Sequence, residues 1–351
     1  MNKTILVMTP HLRLPGGVAN FYKEGRKYFS SSIKYIYVSS SIKTPVIKTF
    51  LNGLLLIRNI LKICFTRHPT LVLNPSLTKN AYWRDGVLAW IGKFRGKKVF
   101  IFWRGWNPNN ECLFTGWFGI RFFRHTFLKA HKHIVLNRYV REKLEFLDIR
   151  PQAILTSNTI VDDSYFEDEK SILGSKKIIL FLTRIEKYKG IYETLKMFEQ
   201  LKERKDVELH IAGTGCELDR VKEYVITHRI NNVKFLGYVS GSKKKEVYKS
   251  AYCYVFPSYS EGMPNSVLEA MANGLPIVGT NVGAIGDFFE NQKMGYVFEH
   301  PVSPHTLKDA CLCLLNDPKL RNEISEFNKI YANEYFRASK TIKKLEKIFH
   351  E

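Results

Sequence analysis

The amino-acid sequence predicts an α/β protein built from two doubly wound parallel sheets. Short apolar runs alternate with amphipathic helical segments along the whole chain, which is the pattern of successive βαβ units. The scheme occurs once in each half of the 351 residues, a length that allows two domains with separate cores. Formal charge divides in the same way: residues 1–160 hold 26 Lys and Arg against 6 Asp and Glu, whereas residues 161–351 hold 28 against 27.

Strands are predicted at the short apolar runs, with helices between them. In the first half these runs are Ile5–Met8, Ile36–Val38, Leu71–Leu73, Val99–Phe102 and Ile134–Leu136. In the second half they are Lys177–Leu182, Val207–Ala212, Val233–Leu236, Tyr252–Phe256, Ile277–Gly279 and Gly295–Phe298. The acidic, polar stretch 162–171 predicts the domain boundary. The expected domains are therefore residues 1–165 and 166–334, followed by a basic helix over residues 335–351.

Composition narrows the class of protein. A hydrophobic fraction of 45% and a charged fraction of 25% are typical of a globular chain. The six cysteines show no paired spacing that predicts a zinc site or a disulfide framework, so a reducing cytoplasm is expected. The first apolar run stops at Pro10, which argues against a signal peptide, and no run reaches the length of a membrane span.

The most informative motif is the string Glu261-Gly-Met-Pro-Asn-Ser-Val-Leu-Glu269. Pro264 suits a helix start, and Asn273-Gly274 suits a helix end, so a helix is predicted over 265–272. Glu261 then lies in the loop before this helix and Glu269 within it. The amides of its first residues, Asn265, Ser266 and Val267, are expected to be unpaired donors that suit a pyrophosphate.

This string resembles the signature of retaining glycosyltransferases of family four, which have the GT-B fold of two Rossmann-like domains facing across a cleft. The resemblance implies that Glu261 contacts the hydroxyls of the donor sugar and that Glu269 holds the nucleotide ribose. It also implies that the helix start, from Met263 and Pro264 to Val267, contacts the donor. The alternative is an ordinary capped helix with two surface glutamates.

Two cations extend the resemblance. The segment Leu180-Phe-Leu-Thr-Arg184-Ile-Glu-Lys-Tyr-Lys189-Gly190 is similar to a strand and loop of the same family, although Thr183 stands where glycine is usual. The resemblance implies that Arg184 and Lys189 bind the donor pyrophosphate and stabilise the departing diphosphate, in the role of a divalent metal. No metal site is expected. The alternative is a pair of solvated loop cations.

Three further segments match the family's donor site. Gly16-Gly17 follows the first predicted strand, where the resemblance implies an approach of the backbone to the pyrophosphate; a plain turn is the alternative. Gly213 ends the strand that the family places beneath the nucleotide. Tyr238 lies in a segment similar to the one whose backbone brackets the base, so no side chain identifies that base.

One departure concerns Arg104. After the strand Val99–Phe102 the family usually carries a histidine at the donor sugar, and this chain has Trp103-Arg104-Gly105-Trp106 instead. Arg104 either lies in the cleft and faces an anionic group of donor or acceptor, or forms a structural stack with tryptophan. No family role can be transferred to it.

The expected function is a retaining, metal-independent hexosyltransferase without a cofactor. It would move a sugar from a UDP- or GDP-linked donor to an anionic lipid-linked or oligosaccharide acceptor, in the synthesis of bacterial capsule, O-antigen or exopolysaccharide. The basic first half, with aromatic and basic residues interleaved over 116–133, predicts peripheral association with the inner face of the cell membrane. No nucleic-acid motif is present.

Two alternatives to this function stay open. A sugar-nucleotide epimerase or hydrolase can use the same fold and would release nucleoside diphosphate without an acceptor. A non-catalytic basic module could instead bind membrane or nucleic acid, with an affinity that falls steeply as salt rises. This third class leaves the string from Glu261 to Glu269 unexplained.

Overall fold

The structure, a computed structural model, describes residues 4–14, 16–38, 45–167 and 174–351, and it divides the chain into two compact units. Residues 1–160 and 338–351 form the first unit, and residues 161–337 form the second. Each unit contains one six-stranded sheet, and all neighbouring strands within each sheet are parallel. The predicted α/β class and the two doubly wound sheets are confirmed.

The sheet of the first unit has the strand order β2-β1-β3-β4-β5-β6. Its strands are β1 (Ile5–Thr9), β2 (Ile33–Tyr37), β3 (Thr70–Leu73), β4 (Lys98–Phe102), β5 (Lys132–Val135) and β6 (Ile154–Thr156). Its first five helices are α1 (Gly17–Gly25), α2 (Pro45–Phe65), α3 (Lys79–Phe94), α4 (Trp117–His125) and α5 (Arg138–Phe146). Central strands such as β1 and β3 are buried along their whole length, because crossover helices cover both faces of a parallel sheet.

The two edge strands of this sheet were the ones that the sequence predicted poorly. β2 begins at Ile33, three residues before the predicted start, and β6 was not predicted at all. In β2 only Ile36 is buried, and in β6 only Ile154. An edge strand is only partly covered, so it lacks the continuous apolar run that identifies a central one.

The sheet of the second unit has the order β12-β11-β10-β7-β8-β9. Its strands are β7 (Lys177–Leu182), β8 (Val207–Ala212), β9 (Val233–Gly237), β10 (Cys253–Phe256), β11 (Ile277–Thr280) and β12 (Gly295–Phe298). Its helices are α6 (Ile191–Glu199), α7 (Leu218–Thr227), α8 (Gly241–Ser250), α9 (Asn265–Ala272), α10 (Ile285–Phe288), α11 (Pro304–Asn316) and α12 (Pro318–Tyr335). All six strands lie within one residue of their predicted positions at each end.

The C-terminal helix belongs to the first unit. It is α13 (Ala338–His350), and its start differs from the predicted 335 because α12 runs on to Tyr335. The Glu346 carboxylate accepts hydrogen bonds from the backbone amides of Ser30, at 3.2 Å, and Ser31. The Phe349 ring lies edge-on to Phe100 of β4, with 5.3 Å between centroids. The units meet at residues 160 and 161, five residues before the boundary expected from the acidic stretch.

Within the described residues, no helix is both long and apolar enough to span a bilayer.

Candidate active site

The order of strands in the second sheet sets the position of the site. The chain enters at β7, continues outward through β8 and β9, and then returns to place β10 on the other side of β7. Ligands of open α/β sheets bind where the strand order reverses in this way, outside the carboxyl ends of the strands. Here the loops at that point follow β7 and β10, and they carry Arg184, Lys189 and Glu261.

At Gly190 the backbones of these two loops approach each other closely. Its φ is +77°, and a Cβ atom there would lie 2.1 Å from the carbonyl oxygen of Pro257, which no side chain can occupy. Beside it, the Tyr259 amide donates to the Tyr188 carbonyl oxygen at 2.9 Å. The close approach fixes Lys189, the residue before this glycine, next to the loop that carries Glu261.

Lys189 and Glu261 form an ion pair at the centre of this site. The Lys189 ammonium donates to Glu261 Oε1, and the Ser258 hydroxyl donates to the same oxygen at 3.0 Å. The side chains are only 9% and 16% exposed. Two of the three predicted catalytic residues are thus brought into direct contact. A largely buried charge pair that accepts a second hydrogen bond from a neighbouring hydroxyl is preorganised, because little solvent has to rearrange around it.

Arg184 lies on the same loop in a different environment. Its side chain is 64% exposed and pairs with Glu186 at 3.1 Å. Its guanidinium carbon lies 5.6 Å from the Tyr188 ring centroid, and Lys189 Nζ lies 5.1 Å from that centroid. Burial, followed by the hydrogen bond to Glu186, raises the pKa of Tyr188 to about 12, so the phenol is neutral at pH 7. The two predicted cations therefore share one aromatic ring, and only Lys189 is buried.

Helix α9 begins and ends where the sequence predicted. Pro264 is its N-cap residue and Asn273 its C-cap residue, and Gly274 follows with a φ of +73°. One prediction about this helix was wrong: the amide of Val267 is paired, because it donates to the Pro264 carbonyl oxygen at 3.1 Å. This hydrogen bond joins residues three apart, as in a 3₁₀ turn, instead of four apart as in an α-helix. It therefore pairs an amide that a regular α-helix would leave free in its first turn.

Glu269 is buried in α9 and is held by two residues that the sequence analysis missed. Lys244 Nζ donates to Oε1 at 2.7 Å, and the Tyr248 hydroxyl donates to Oε2 at 2.9 Å. Burial and then the Glu269 charge raise the pKa of Tyr248, which keeps the phenol protonated as a donor. Lys244 and Tyr248 are four residues apart and share a face of α8, but their spacing alone does not identify a partner.

Gly213 brings the loop after β8 onto the loop after β7. A Cβ atom at Gly213 would lie 1.9 Å from the Thr183 carbonyl oxygen, and its φ is +145°. Its amide donates to the Gly237 carbonyl oxygen at 2.7 Å, directly before Tyr238, whose side chain is exposed. Gly213 thus has a structural role beside the predicted donor contact.

Gly283, to which the sequence analysis gave no role, supports the Glu261 loop from the other side. Its φ is +62°, and a Cβ atom there would lie 2.4 Å from the Glu261 carbonyl oxygen. The next amide, that of Ala284, donates to the Gly262 carbonyl oxygen at 2.7 Å. Met263 and Pro264, two of the predicted donor residues, follow this loop and are buried.

The other predicted site residues lie in the first unit. Gly16 precedes α1 with φ 145° and ψ 153°, a conformation that favours glycine, and Gly17 is the first residue of the helix. Both are exposed, and nothing lies within 4 Å of a Cβ atom placed on either. Arg104 follows β4, and its guanidinium carbon lies 4.2 Å from the Phe21 ring centroid and 4.3 Å from that of Phe102. The proposed stack with tryptophan was wrong: both rings belong to phenylalanine.

The second unit is similar to a known protein family. Residues 164–330 match the family model described as Glycosyl transferases group 1. An uncharacterized glycosyltransferase of Methanocaldococcus jannaschii is 32% identical over 160 residues, which are 45% of this chain and 41% of that protein. The capsular polysaccharide biosynthesis glycosyltransferase CapM of Staphylococcus aureus is 25% identical over 226 residues, 63% of this chain and 58% of CapM. This chain therefore spans less than two thirds of either relative.

The solved structures agree with the fold of the whole chain. Anabaena HepE, crystallised in complex with UDP-glucose, matches 99% of this chain and 99% of its own, with a TM-score of 0.77 and 14% sequence identity. At this identity the similarity establishes the fold alone. Residues 164–330 of this chain are thus similar to the glycosyl transferases group 1 family, and the chain as a whole has the GT-B fold.

Proposed function

We propose that this chain is a retaining glycosyltransferase that transfers a hexose from a nucleoside-diphosphate sugar to an acceptor in bacterial surface polysaccharide synthesis. The observation that supports this proposal most directly is the buried Lys189–Glu261 pair at the reversal of strand order in the second sheet. The name of CapM supports the choice of acceptor class, and the UDP-glucose complex of HepE makes UDP the first base to test, with GDP as the second.

In the proposed reaction, the bond between the sugar C1 and the diphosphate oxygen breaks, and its electron pair leaves with the nucleoside diphosphate. The acceptor oxygen bonds to C1 from the same face, and its proton passes to the departing phosphate. Lys189 and Arg184 stabilise the negative charge that develops on the leaving group, in place of a divalent metal. Glu261 orients the sugar through its hydroxyls, and Glu269 accepts hydrogen bonds from the ribose.

The proposal is tested by a thermal-shift panel of UDP, GDP, ADP and CMP with their common sugar conjugates, without and with Mg²⁺. A ligand at about 100 times its dissociation constant should stabilise the fold by about 2.7 kcal/mol. We expect a response to one nucleoside diphosphate without Mg²⁺, and turnover of its sugar conjugate that Glu261→Ala abolishes. If the folded protein responds to no nucleotide, the non-catalytic binding module becomes the better explanation. Release of diphosphate at the same rate without any acceptor would favour the hydrolase or epimerase.

We also propose that the first unit associates with an anionic membrane surface, where a lipid-linked acceptor would be found. Leu54, Ile57 and Leu61 follow one face of α2 at helical spacing and are 49–57% exposed. On the neighbouring helix α3, Trp90 and Phe94 are 53% and 78% exposed, with stacked rings 6.1 Å apart. These five residues form the apolar patch. They lie in the half of the chain that carries the net positive charge.

The interleaved aromatic and basic residues of the segment 116–133 contribute less to this surface than expected. Helix α4 ends at His125, and Phe123 and Phe127 are buried in the core. Of its large apolar residues, only the first two, Trp117 and Phe118, are strongly exposed. A single apolar face from Trp117 to Leu128 is therefore absent, because the helix breaks at Thr126.

We expect the double variant Trp90→Ala/Phe94→Ala to bind vesicles containing about one third anionic lipid roughly tenfold more weakly than the wild type, since two aromatic rings no longer enter the interface. Vesicle co-sedimentation measures this. Ile226→Ala is the control, because Ile226 is as exposed as Phe94 but lies in the near-neutral second unit. Binding that is unchanged in the double variant, or equally reduced in the control, would contradict the assignment of the apolar patch.

A further inference from the structure

Arg104 in the first unit is half-buried, and its charge has no counter-ion among the residues that the structure describes. Among the described residues, no atom accepts a hydrogen bond from its side chain, and its Nη1 atom is shielded from solvent. The nearby phenol of Tyr22 is neutral and cannot act as the counter-ion of Arg104. Burial raises the pKa of Tyr22 to about 12, and its hydroxyl donates to Asn74 Oδ1 at 2.9 Å.

Other cations in sheltered positions of the described chain have partners. Lys97 donates to the carbonyl oxygens of Thr66 and His68, at 2.7 and 2.8 Å. Arg84 forms two hydrogen bonds with Asp85, and Arg321 donates to the Tyr252 carbonyl oxygen. Of the guanidinium and ammonium nitrogens in the described residues, only Arg104 Nη1 is buried without a hydrogen bond.

This arrangement is unfavourable for the free protein. Shielding part of an unpaired charge from water is unfavourable, and the cation–π contacts with Phe21 and Phe102 offset only part of this cost. The surrounding half of the chain is already strongly positive, which adds repulsion. Burial lowers the pKa of Arg104 to about 10, so the group is still a cation at pH 7.

The position of Arg104 makes it reachable by a ligand. It follows the carboxyl end of β4, and Phe21 beneath it lies in the second turn of α1, whose exposed start is Gly16-Gly17. The residue as a whole is only half-buried, although Nη1 is closed off. The carboxyl edge of an open parallel sheet is where α/β domains bind their ligands. At the end of the central strand β1, the Thr9 hydroxyl is likewise buried with no partner among the described residues.

We propose that Arg104 binds an oxyanion of the sugar substrate, and that it thereby selects a substrate with a carboxylate or a phosphate ester over its neutral counterpart. A planar guanidinium held by two aromatic rings has a fixed orientation, and with Nη1 enclosed its Nε and Nη2 edge can donate two parallel hydrogen bonds to either oxyanion. A neutral sugar leaves the guanidinium without a counter-ion, whereas an anionic sugar neutralises it. This difference favours binding of the anionic substrate over its neutral counterpart. This inference rests on the proposed transferase function and adds the chemical class of its substrate.

The test compares glucuronate, glucose 1-phosphate and neutral glucose as probes, by calorimetric titration at constant ionic strength. The proteins are the full-length wild type, Arg104→Met, Arg104→Lys and Arg67→Met. Arg67 is an exposed arginine of the same unit, so its variant removes the same formal charge. We expect at least one anionic probe to bind the wild type and Arg67→Met about tenfold or more tightly than glucose does. Arg104→Met should lose this preference, and Arg104→Lys should keep part of it.

The two sources of the oxyanion are separated by the probes. A preference for glucuronate alone identifies an acidic sugar, and a preference for glucose 1-phosphate alone identifies a phosphate ester. Thermal unfolding supplies the second measurement: Arg104→Met should be at least as stable as the wild type, because an unpaired buried charge is removed. Loss of stability with unchanged probe binding would show that the arginine is structural and would overturn the inference.

Nucleotide binding by the same proteins separates this inference from the function on which it rests. If UDP or GDP binds both the wild type and Arg104→Met while neither anion is preferred by the wild type, the assignment of Arg104 is wrong and the transferase proposal stands. If no nucleoside diphosphate binds the wild type, the transferase proposal itself is wrong, and the substrate class assigned to Arg104 is withdrawn with it.

Discussion

Replacement of Lys189 by methionine is expected to reduce kcat/KM for sugar transfer by about a thousandfold or more. Removing one preorganised electrostatic donor typically costs a factor of 10² to 10³ in rate. Here the same change also leaves the Glu261 carboxylate, only 16% exposed, without its cation. A carboxylate that loses its ion-pair partner in a sheltered position is left with an uncompensated charge and tends to rotate toward solvent. This rotation would impair its orientation of the donor sugar.

Lys187→Met is the matched control for this prediction. Lys187 lies two residues earlier in the same loop, is exposed, and carries the same charge. It should retain activity within a factor of about two to three, since solvent screens an exposed charge. The measurement is the initial rate of nucleoside diphosphate release with acceptor present, after circular dichroism has shown that both variants are folded. A Lys189→Met enzyme within tenfold of the wild type would show that the ion pair is structural.

Replacement of Gly213 by alanine is expected to lower the free energy of unfolding by about 3 kcal/mol or more, from a steric overlap added to backbone strain. The new Cβ atom would lie 1.9 Å from the Thr183 carbonyl oxygen, so one of two adjoining loops has to move. Because Thr183 directly precedes Arg184, this movement should also weaken the binding of nucleoside diphosphate.

The variant Gly237→Ala serves to separate the effect of steric overlap from the effect of backbone strain. Gly237 has a φ of +64°, but nothing lies within 4 Å of its Cβ position. It should therefore lose only about 1 kcal/mol, the usual cost of alanine in a left-handed conformation. Urea unfolding of both variants gives the comparison. An equal loss of unfolding free energy in the two variants would mean that the loop after β7 moves away from the new Cβ atom at little cost. Gly213 would then not be required for the position of this loop.

The second unit was predictable because its signals are local. Helix α9 could be placed from Pro264 and Asn273-Gly274, since capping and helix-ending preferences act within a few residues. The central strands are covered on both faces and appear as apolar runs. The edge strands β2 and β6, which are only partly covered, carry no such run, and their starts or existence were missed.

The sequence by itself determined the fold class, the strongly basic first half, and the identity of the main candidate site residues. Only the tertiary structure decided how they are paired. Lys189 and Glu261 are 72 positions apart in the chain, and their contact depends on the approach of Gly190 to Pro257. In the same way, partners for Glu269 come from α8, whereas Arg104 contacts phenylalanine rings and has no anionic partner among the described residues. Spacing along a chain reports which residues share an element, whereas packing between distant elements decides which charges are neutralised and which stay available for a ligand.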